Sequence, residues 1–247
     1  MQKSNERIIL ITNDDGIRAE GLRHLAEAAS AFGKVYIVAP ERQCSAMSHR
    51  MTIRKPMKLS RIMDYGNFAE EVYSLDGMPA DCVKAGIFCV LKRKPDWIFT
   101  GMNHGWNVAF DTCYSATVGA AMEGLLNGVP SAAFSLEKAA CFETADAFLP
   151  RIMEEILKSE EKNPAEIWNV NFPSCPVDEC KGIKYDMPAA PMQQFEDSYK
   201  DWIDESGQRW IEEDGEPIPD ERTIPDTDLH AVREGYISIG KLACKVL

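Results

Sequence analysis

The alternation of short apolar runs with amphipathic segments constrains the fold of this chain more than any other feature of its sequence. Residues 7–12 are largely apolar and end in an Asn-Asp-Asp-Gly turn at 13–16, as expected of a buried strand in a parallel sheet. A helical pattern follows and ends at Gly33, and a second apolar run at 35–39 stops at Pro40. Strand, helix and strand in this order predict a βαβ unit with a right-handed crossover.

The alternation continues along the chain. The predicted elements are helices at 79–91, 116–126 and about 143–158 and strands at 96–100, 131–135, 167–172 and 235–239. Pro150 is expected to kink the third of these helices or to limit its length. The pattern predicts an α/β fold with a doubly wound, mostly parallel sheet, which binds its ligands at the carboxyl ends of the strands.

The sequence suggests two parts with a boundary near residue 136. Residues 1–135 form the predicted core that carries the site, and residues 136–247 form a less regular C-terminal part. Within the latter, about 190–228 are rich in acidic residues and proline and include Trp202 and Trp210. This composition favours a hairpin or arm that projects from the core and docks against another surface.

Charge and cysteine content exclude several functional classes. The 247 residues include 39 acidic and 27 basic side chains, for a net charge of −12, which disfavours stable nucleic-acid binding. A phosphorylated substrate would therefore need a local positive centre such as a metal ion.

The eight cysteines include no Cys-x-x-Cys pair, which favours reduced thiols over disulfides or a zinc site. With no apolar run of membrane-spanning length and no secretory signal, we expect a cytoplasmic protein without a membrane partner.

Asp14 and Asp15 directly follow the first predicted strand, where many nucleotide-binding folds offer glycines to a phosphate. Two carboxylates would repel a phosphate unless a hard divalent cation lay between them. The alternative is that both residues form a turn and cap the next helix.

Two further polar loops follow strands at the same predicted sheet edge. Ser45 lies in the loop after the second strand, and Asn103 lies in the loop after the 96–100 strand. Hydroxyl and amide oxygens are neutral ligands for the same kind of cation, although either residue can also be an ordinary loop residue. Ser115 can cap the helix at 116–126 and Thr117 lies in its first turn, so that this end favours an anion. An ordinary capped helix is the alternative.

Taken together, these stretches resemble the survival protein E (SurE) family of metal-dependent nucleotidases. The matching segments occur in family order over nearly the whole chain: 12–16, 38–42 with Ser45 and Ser48, 101–103 with Gly105 and Asn107, Asp111 with 114–124, 169–173, 227–228 and 235–239. The resemblance implies a Rossmann-like core, a C-terminal arm exchanged between subunits of a homodimer or tetramer, and a nucleoside monophosphate substrate. It also implies one divalent metal ion per subunit, most readily Mg²⁺ or Mn²⁺, in a site that Ca²⁺ can occupy.

Carried over residue by residue, the resemblance assigns the metal ligands to Asp14, Asp15, Ser45 and Asn103. It assigns the groups that bind phosphate to Asn107, Ser115 and Thr117. The sequence departs from the family pattern at Cys44, where a basic residue is usual, and at Ala46 and Ala116, where glycine is usual.

The preferred function is therefore a metal-dependent phosphomonoesterase acting on nucleoside 5′-monophosphates, with 3′-monophosphates as further candidates. Asp14 is the candidate catalytic residue, either aligning a water and accepting its proton or forming an aspartyl-phosphate. The alternatives are a non-catalytic nucleotide-binding Rossmann protein and an adaptor that works through its acidic arm.

Overall fold

A parallel sheet forms the centre of the computed structural model, which describes residues 7–138, 141–159 and 165–244. Its first strands and helices are β1 (Ile8–Thr12), α1 (Glu20–Ala29), β2 (Lys34–Pro40), β3 (Leu59–Arg61), β4 (Glu71–Leu75), α2 (Pro79–Ala85), β5 (Trp97–His104), α3 (Ala116–Leu126) and β6 (Ser131–Leu136). The later ones are α4 (Glu143–Lys158), β7 (Glu166–Phe172), β8 (Ile183–Lys184), β9 (Phe195–Glu196), β10 (Tyr199–Ile203), β11 (Arg209–Glu213), β12 (Glu216–Pro217), α5 (Asp228–Arg233) and β13 (Ile237–Ala243).

Within the described residues the main sheet has nine strands in the order β3-β4-β2-β1-β5-β6-β7-β13-β8. The six strands from β4 to β7 in this order are mutually parallel, whereas β3 and β13 run antiparallel to their neighbours β4 and β7. The strand order reverses between β1 and β5, and such a switch point opens a crevice at the carboxyl ends of the strands. The predicted α/β, mostly parallel sheet is confirmed.

Helices cover both faces of this sheet. On one face, apolar side chains of α1 and α4, including Leu22, Leu25 and Ile152, are buried against the central strands. On the other face, α2 and α3 pack against the sheet through Val83 and Ala120 among others. This is the doubly wound arrangement that the alternation of the sequence predicts. Among the described residues, no helix is long and apolar enough to cross a membrane.

Three elements differ in detail from the prediction. The predicted helix 79–91 is α-helical over α2 and continues as a π-helical segment, Gly86–Leu91. A side-chain carbon at Gly86 would lie 2.5 Å from a Leu10 methyl, so a larger residue would force the Leu10 side chain to move. The strand predicted at 96–100 extends to His104, so Asn103 lies near the end of β5 and not in the loop after it, whereas α4 spans the predicted residues with Pro150 inside it. The last strand extends to Ala243 because it pairs with β7 along its length.

The acidic segment forms the predicted hairpin. Strands β10 and β11 pair antiparallel, with Trp202 opposite Trp210, and all of their residues are exposed. The short strands β9 and β12 pair at the base of the hairpin. Its exchange between subunits stays a prediction, as does the boundary near residue 136, since β7, β13 and β8 complete the same sheet as β1 to β6.

Candidate functional site

The turn after β1 is closed by Asn13 and not by the two carboxylates. The Asn13 side chain donates to the Gly16 carbonyl (3.0 Å) and accepts from the Gly16 N–H (3.2 Å), and Gly16 has φ +101°. The helix α1 begins later, with Ala19 at its N-cap. The turn-and-cap alternative for Asp14 and Asp15 therefore does not describe this loop, and both carboxylates remain available for other chemistry.

The carboxyl group of Asp14 lies almost fully inside the protein, where it accepts a hydrogen bond of 2.5 Å from the Thr117 hydroxyl. Burial raises its pKa to about 7, the bond from Thr117 opposes that rise, and the charge of Asp15 adds to it. The backbone carbonyl of Asp14 accepts from the Cys44 N–H at 2.6 Å. A cation stabilises a buried carboxylate of this kind. The hydrogen bond to the Asp14 backbone also brings the loop that carries Ser45 close to Asp14.

Asp15 and Ser45 are joined through Gln43, a residue that the sequence did not single out. The Gln43 Nε2 lies 3.4 Å from Asp15 Oδ1 and 3.0 Å from Ser45 Oγ. The other Asp15 oxygen accepts from the His104 N–H at 2.9 Å, which connects the ends of β1 and β5. No sequence signal distinguishes Gln43 from the other polar residues of its loop.

Asn103 lies on the opposite side of the same crevice. Its Nδ2 donates to the Gly105 carbonyl at 2.7 Å, so the amide oxygen is the atom with which it can bind a cation. Asp15, Gln43 and Asn103 together line a cavity of about 250 Å³ at the switch point between β1 and β5. The structure thus brings the loops of the four predicted metal ligands to one edge of the sheet.

The chemistry of these donors fits a hard divalent cation. The set offers two carboxylates, a hydroxyl and an amide oxygen, which Mg²⁺, Mn²⁺ and Ca²⁺ prefer over nitrogen or sulfur ligands. Among the residues that the structure describes, no group of three His, Cys, Asp or Glu side chains is arranged to hold a metal.

Two of the phosphate-binding candidates, Ser115 and Thr117, lie at the N-terminus of α3, whereas Asn107 is bonded to β6 and β7. Ser115 caps the helix by accepting from the Val118 N–H at 3.1 Å, which leaves its hydroxyl proton for an acceptor. Thr117 is fully buried and directs its hydroxyl to Asp14. The side chain of Asn107 donates to Ser135 Oγ at 2.7 Å, and its N–H donates to the Asn171 side chain. The phosphate role of these residues stays a prediction.

The loop that carries Ser45 is bonded to α3 and to the residues just before it. Ser48 donates its N–H to the Tyr114 carbonyl (2.8 Å), and His49 Nε2 contacts Glu123 Oε2 (2.8 Å). Burial raises the pKa of the Glu123 carboxyl, but its hydrogen bonds and nearby positive charge outweigh this and hold the pKa below its usual value. A side-chain carbon at Gly119 would lie 2.7 Å from the Ser48 carbonyl, so glycine permits this close packing.

The two alanines that replace family glycines are in different conformations. Ala46 has φ +56°, a left-handed conformation that costs an L-residue about 1 kcal/mol or more. Ala116 is the first residue of α3 and is helical. The departure at Ala46 therefore carries a conformational cost, whereas the one at Ala116 does not.

Asp228 connects the loop before α3 to the foot of the hairpin. It lies at the start of α5, almost fully buried, and accepts from the N–H groups of Ala190 (2.9 Å) and Ala109 (3.1 Å). Burial raises its pKa to about 6, and its backbone hydrogen bonds oppose the rise. This carboxyl fixes two distant segments at the edge of the candidate site.

Comparisons with known proteins identify the family to which the chain belongs. The family model described as "Survival protein SurE" matches residues 9–194. A protein of Thermosipho africanus named "5'-nucleotidase SurE" is 40% identical over 235 residues, covering 94% of this chain and 89% of the relative. One of the same name from Thermosipho melanesiensis is 41% identical, with the same coverage. The crystal structure of a SurE protein from Aquifex aeolicus superposes with a TM-score of 0.83 at 32% identity, covering 97% of this chain and 94% of that one.

Proposed function

The chain belongs to the survival protein SurE family, and on that premise we propose that it is a divalent-metal-dependent 5′-nucleotidase. It hydrolyses nucleoside 5′-monophosphates to nucleoside and phosphate. The observation that supports the proposal is that Asp15 and Asn103 line one cavity at the sheet edge where the strand order reverses, with Ser45 joined to Asp15 through Gln43 and Asp14 next in the chain. The names of the relatives give the reaction class.

The proposed cation is held by Asp14, Asp15, Ser45 and Asn103. Such an ion polarises a phosphate oxygen and neutralises part of its charge. It also explains how an acidic protein accepts an anionic substrate beside two carboxylates. We propose one ion per subunit, with Mg²⁺ or Mn²⁺ as the working metal.

Asp14 is the proposed catalytic residue. The Thr117 hydroxyl holds its Oδ1 in place, so the carboxyl group keeps one orientation and its second oxygen is the one left for the reaction. In that position Asp14 would align the attacking water and accept its proton. Burial of the group limits its contact with bulk solvent.

The phosphate is proposed to lie at the N-terminus of α3, with Asn107, Ser115 and Thr117 around it. Free N–H groups at a helix start attract anions, and the Ser115 hydroxyl proton adds a donor. Donors fixed before the reaction stabilise the negative charge that develops on the oxygens of the transition state.

The proposed assembly is a homodimer, with a tetramer as the larger alternative, in which the hairpin β10–β11 reaches a second copy of the chain. The hairpin exposes Trp202 and Trp210 to half or nearly half of their full extent, which is unusual for tryptophan without a partner surface. The cytoplasmic location stays a prediction from the sequence.

The test is phosphate release from a panel of nucleoside monophosphates with Mg²⁺, Mn²⁺ or Ca²⁺, and after chelation. We expect activity that requires a divalent cation and collapses in Asp14→Ala and Asp15→Ala. Asp64→Ala, an exposed aspartate outside the site, is the matched control and keeps wild-type activity. Folded Asp14→Ala and Asp15→Ala proteins with near wild-type rates would refute the proposal.

A further inference from the structure

A second, larger cavity borders the loop between Asn103 and Ser115. It measures about 790 Å³ and opens between this loop, the foot of the hairpin and α5. On one side it is lined by Gly105, Trp106 and Asp111, which flank Asn107 in the chain, and on the other by Gln194, Phe195 and Arg233. Its volume is that of a site for an organic ligand and far exceeds that of a single ion.

Two buried polar atoms of its lining are unpaired. Within residues 7–138, 141–159 and 165–244, Gln194 Oε1 and Arg233 Nε have no hydrogen-bond partner. Gln194 is only 8% exposed, and its backbone carbonyl is anchored by the Ile218 N–H at 3.0 Å. A buried polar atom without a partner costs about 1–3 kcal/mol, so these two atoms of lining residues are the ones that a ligand reaching them from the cavity would stabilise.

Aromatic side chains provide a flat apolar contact in the same cavity. Trp106 is fixed by a hydrogen bond of 2.7 Å from its Nε1 to the Phe172 carbonyl, so its ring is held in one orientation. Phe195 is 39% exposed at the foot of the hairpin. Rings of this kind stack on planar heterocycles such as nucleobases.

The charges of the lining argue against a second phosphate. Asp111, Glu137, Glu179, Asp220 and Glu234 outnumber Lys138 and Arg233. Arg233 is moreover paired with Asp220, at 2.8 Å. An acidic lining repels anions and suits a neutral group rich in N–H and O–H donors, as a base with its ribose is.

We propose that this cavity binds the nucleoside part of the substrate. The base stacks on Trp106 and Phe195, while Gln194 Oε1 accepts from an N–H of the base and Arg233 Nε donates to a ring nitrogen or carbonyl. The phosphate then lies on the other side of the loop, towards Asn107 and Ser115. The inference rests on the proposed nucleotidase function and names the part of the protein that recognises the nucleoside.

The test compares a nucleoside 5′-monophosphate with ribose 5-phosphate, which lacks the base. Gln194→Leu removes the amide, and Phe195→Ala removes an exposed ring whose loss does not uncover the core. Each is expected to raise KM for the nucleotide about tenfold and to leave kcat/KM for ribose 5-phosphate within twofold of wild type. The matched controls are Gln208→Leu, in the hairpin turn, and Phe88→Ala, an exposed phenylalanine elsewhere. Both are expected to leave the kinetic constants for the two substrates unchanged.

Calorimetry with unphosphorylated adenosine, guanosine, cytidine and uridine tests the cavity without catalysis. Wild-type protein is expected to bind at least one of them and Gln194→Leu to bind it about tenfold more weakly. An unchanged KM, an equal loss for both phosphate substrates, or equal nucleoside binding by wild type and variant would overturn the inference. If the wild-type protein releases no phosphate from any nucleotide, the proposed function fails. The nucleoside titration alone then shows whether the cavity binds nucleosides.

Discussion

The hydroxyl of Thr117 donates to Oδ1 of Asp14 across 2.5 Å and so joins the first turn of α3 to the loop after β1. The family resemblance implies different roles for these residues, phosphate binding for Thr117 and metal binding and catalysis for Asp14. In the structure they form a single contact inside the protein. Any substitution at Thr117 that removes the hydroxyl therefore removes a hydrogen bond from the Asp14 carboxyl group.

Thr117→Val keeps the shape of the side chain and removes the donor. We expect kcat for a nucleoside monophosphate to fall by about tenfold to a thousandfold, with a smaller change in KM, because Asp14 loses the group that orients it. Thr144→Val, in α4 and outside the site, is the matched control. The buried hydroxyl of Thr144 donates to the Cys175 carbonyl. Steady-state kinetics on both variants measures the difference, and an unchanged kcat in Thr117→Val would contradict the assigned contact.

Ala46→Gly is expected to stabilise the protein. The residue has φ +56°, which glycine adopts without steric cost, and the gain is reduced by the greater freedom of glycine in the unfolded chain. We expect a rise of up to about 1 kcal/mol in the free energy of unfolding. Ala28→Gly, inside α1, is the control and should lower it by about 1 kcal/mol. Urea unfolding measures both, and a loss of stability in Ala46→Gly would argue against the left-handed conformation.

Asp228 makes stability depend on pH. The pKa of Asp228 in the folded protein, about 6, lies above its ordinary value of 3.8, so its contribution to the free energy of unfolding is full below about pH 4 and is lost as the pH rises through 6. Asp228→Asn cannot ionise. Between pH 4 and pH 8 the free energy of unfolding of wild type should therefore fall, relative to this variant, by about 2–3 kcal/mol.

Urea unfolding of both proteins across this range gives the difference between their free energies of unfolding at each pH. The titration of all other groups cancels in this difference. Asp64→Asn, at an exposed position, is the control and should show no such trend. A difference between wild type and Asp228→Asn that is constant with pH would show that the carboxyl is not perturbed by burial.

The exposed tryptophans of the hairpin are expected to take part in assembly. Trp202 and Trp210 lie opposite each other on the exposed ribbon, and replacing both by glutamate puts charge where an apolar contact is proposed. We expect light scattering at micromolar concentration to give a dimer mass or larger for wild type and a lower mass for the double variant. Met63→Glu, exposed and remote in sequence, is the control. A monomeric wild-type protein would exclude the proposed role of the hairpin.

The parts of the site that the sequence could predict are those fixed by strand ends. Asp14 follows β1 and Asn103 lies near the end of β5, and these parallel strands lie on either side of the switch point, so strand order with polar composition is enough to bring their ends together. The alternation of apolar runs likewise determines the two-faced sheet, because the central strands are buried by helices on both sides.

The remaining features depend on contacts between residues far apart in the chain. The bridge from Gln43 to Asp15 and the bond from His49 to Glu123 require a loop to be folded against another element. The second cavity joins Trp106 to Gln194 and Arg233, about ninety to a hundred and thirty positions further along the chain. Local patterns carry no information about such distances.

The bonds from Ser48 and His49 to the α3 region have a thermodynamic consequence. Hydrogen bonds and the close approach at Gly119 fasten the loop that carries Ser45 to the helix that begins after Ser115, so we expect the two to move together. A ligand that orders the loop would then lower the ordering cost for a ligand at the helix. Linkage requires the effect to be reciprocal, so we expect the proposed cation and the proposed phosphate group to strengthen each other's binding by the same factor.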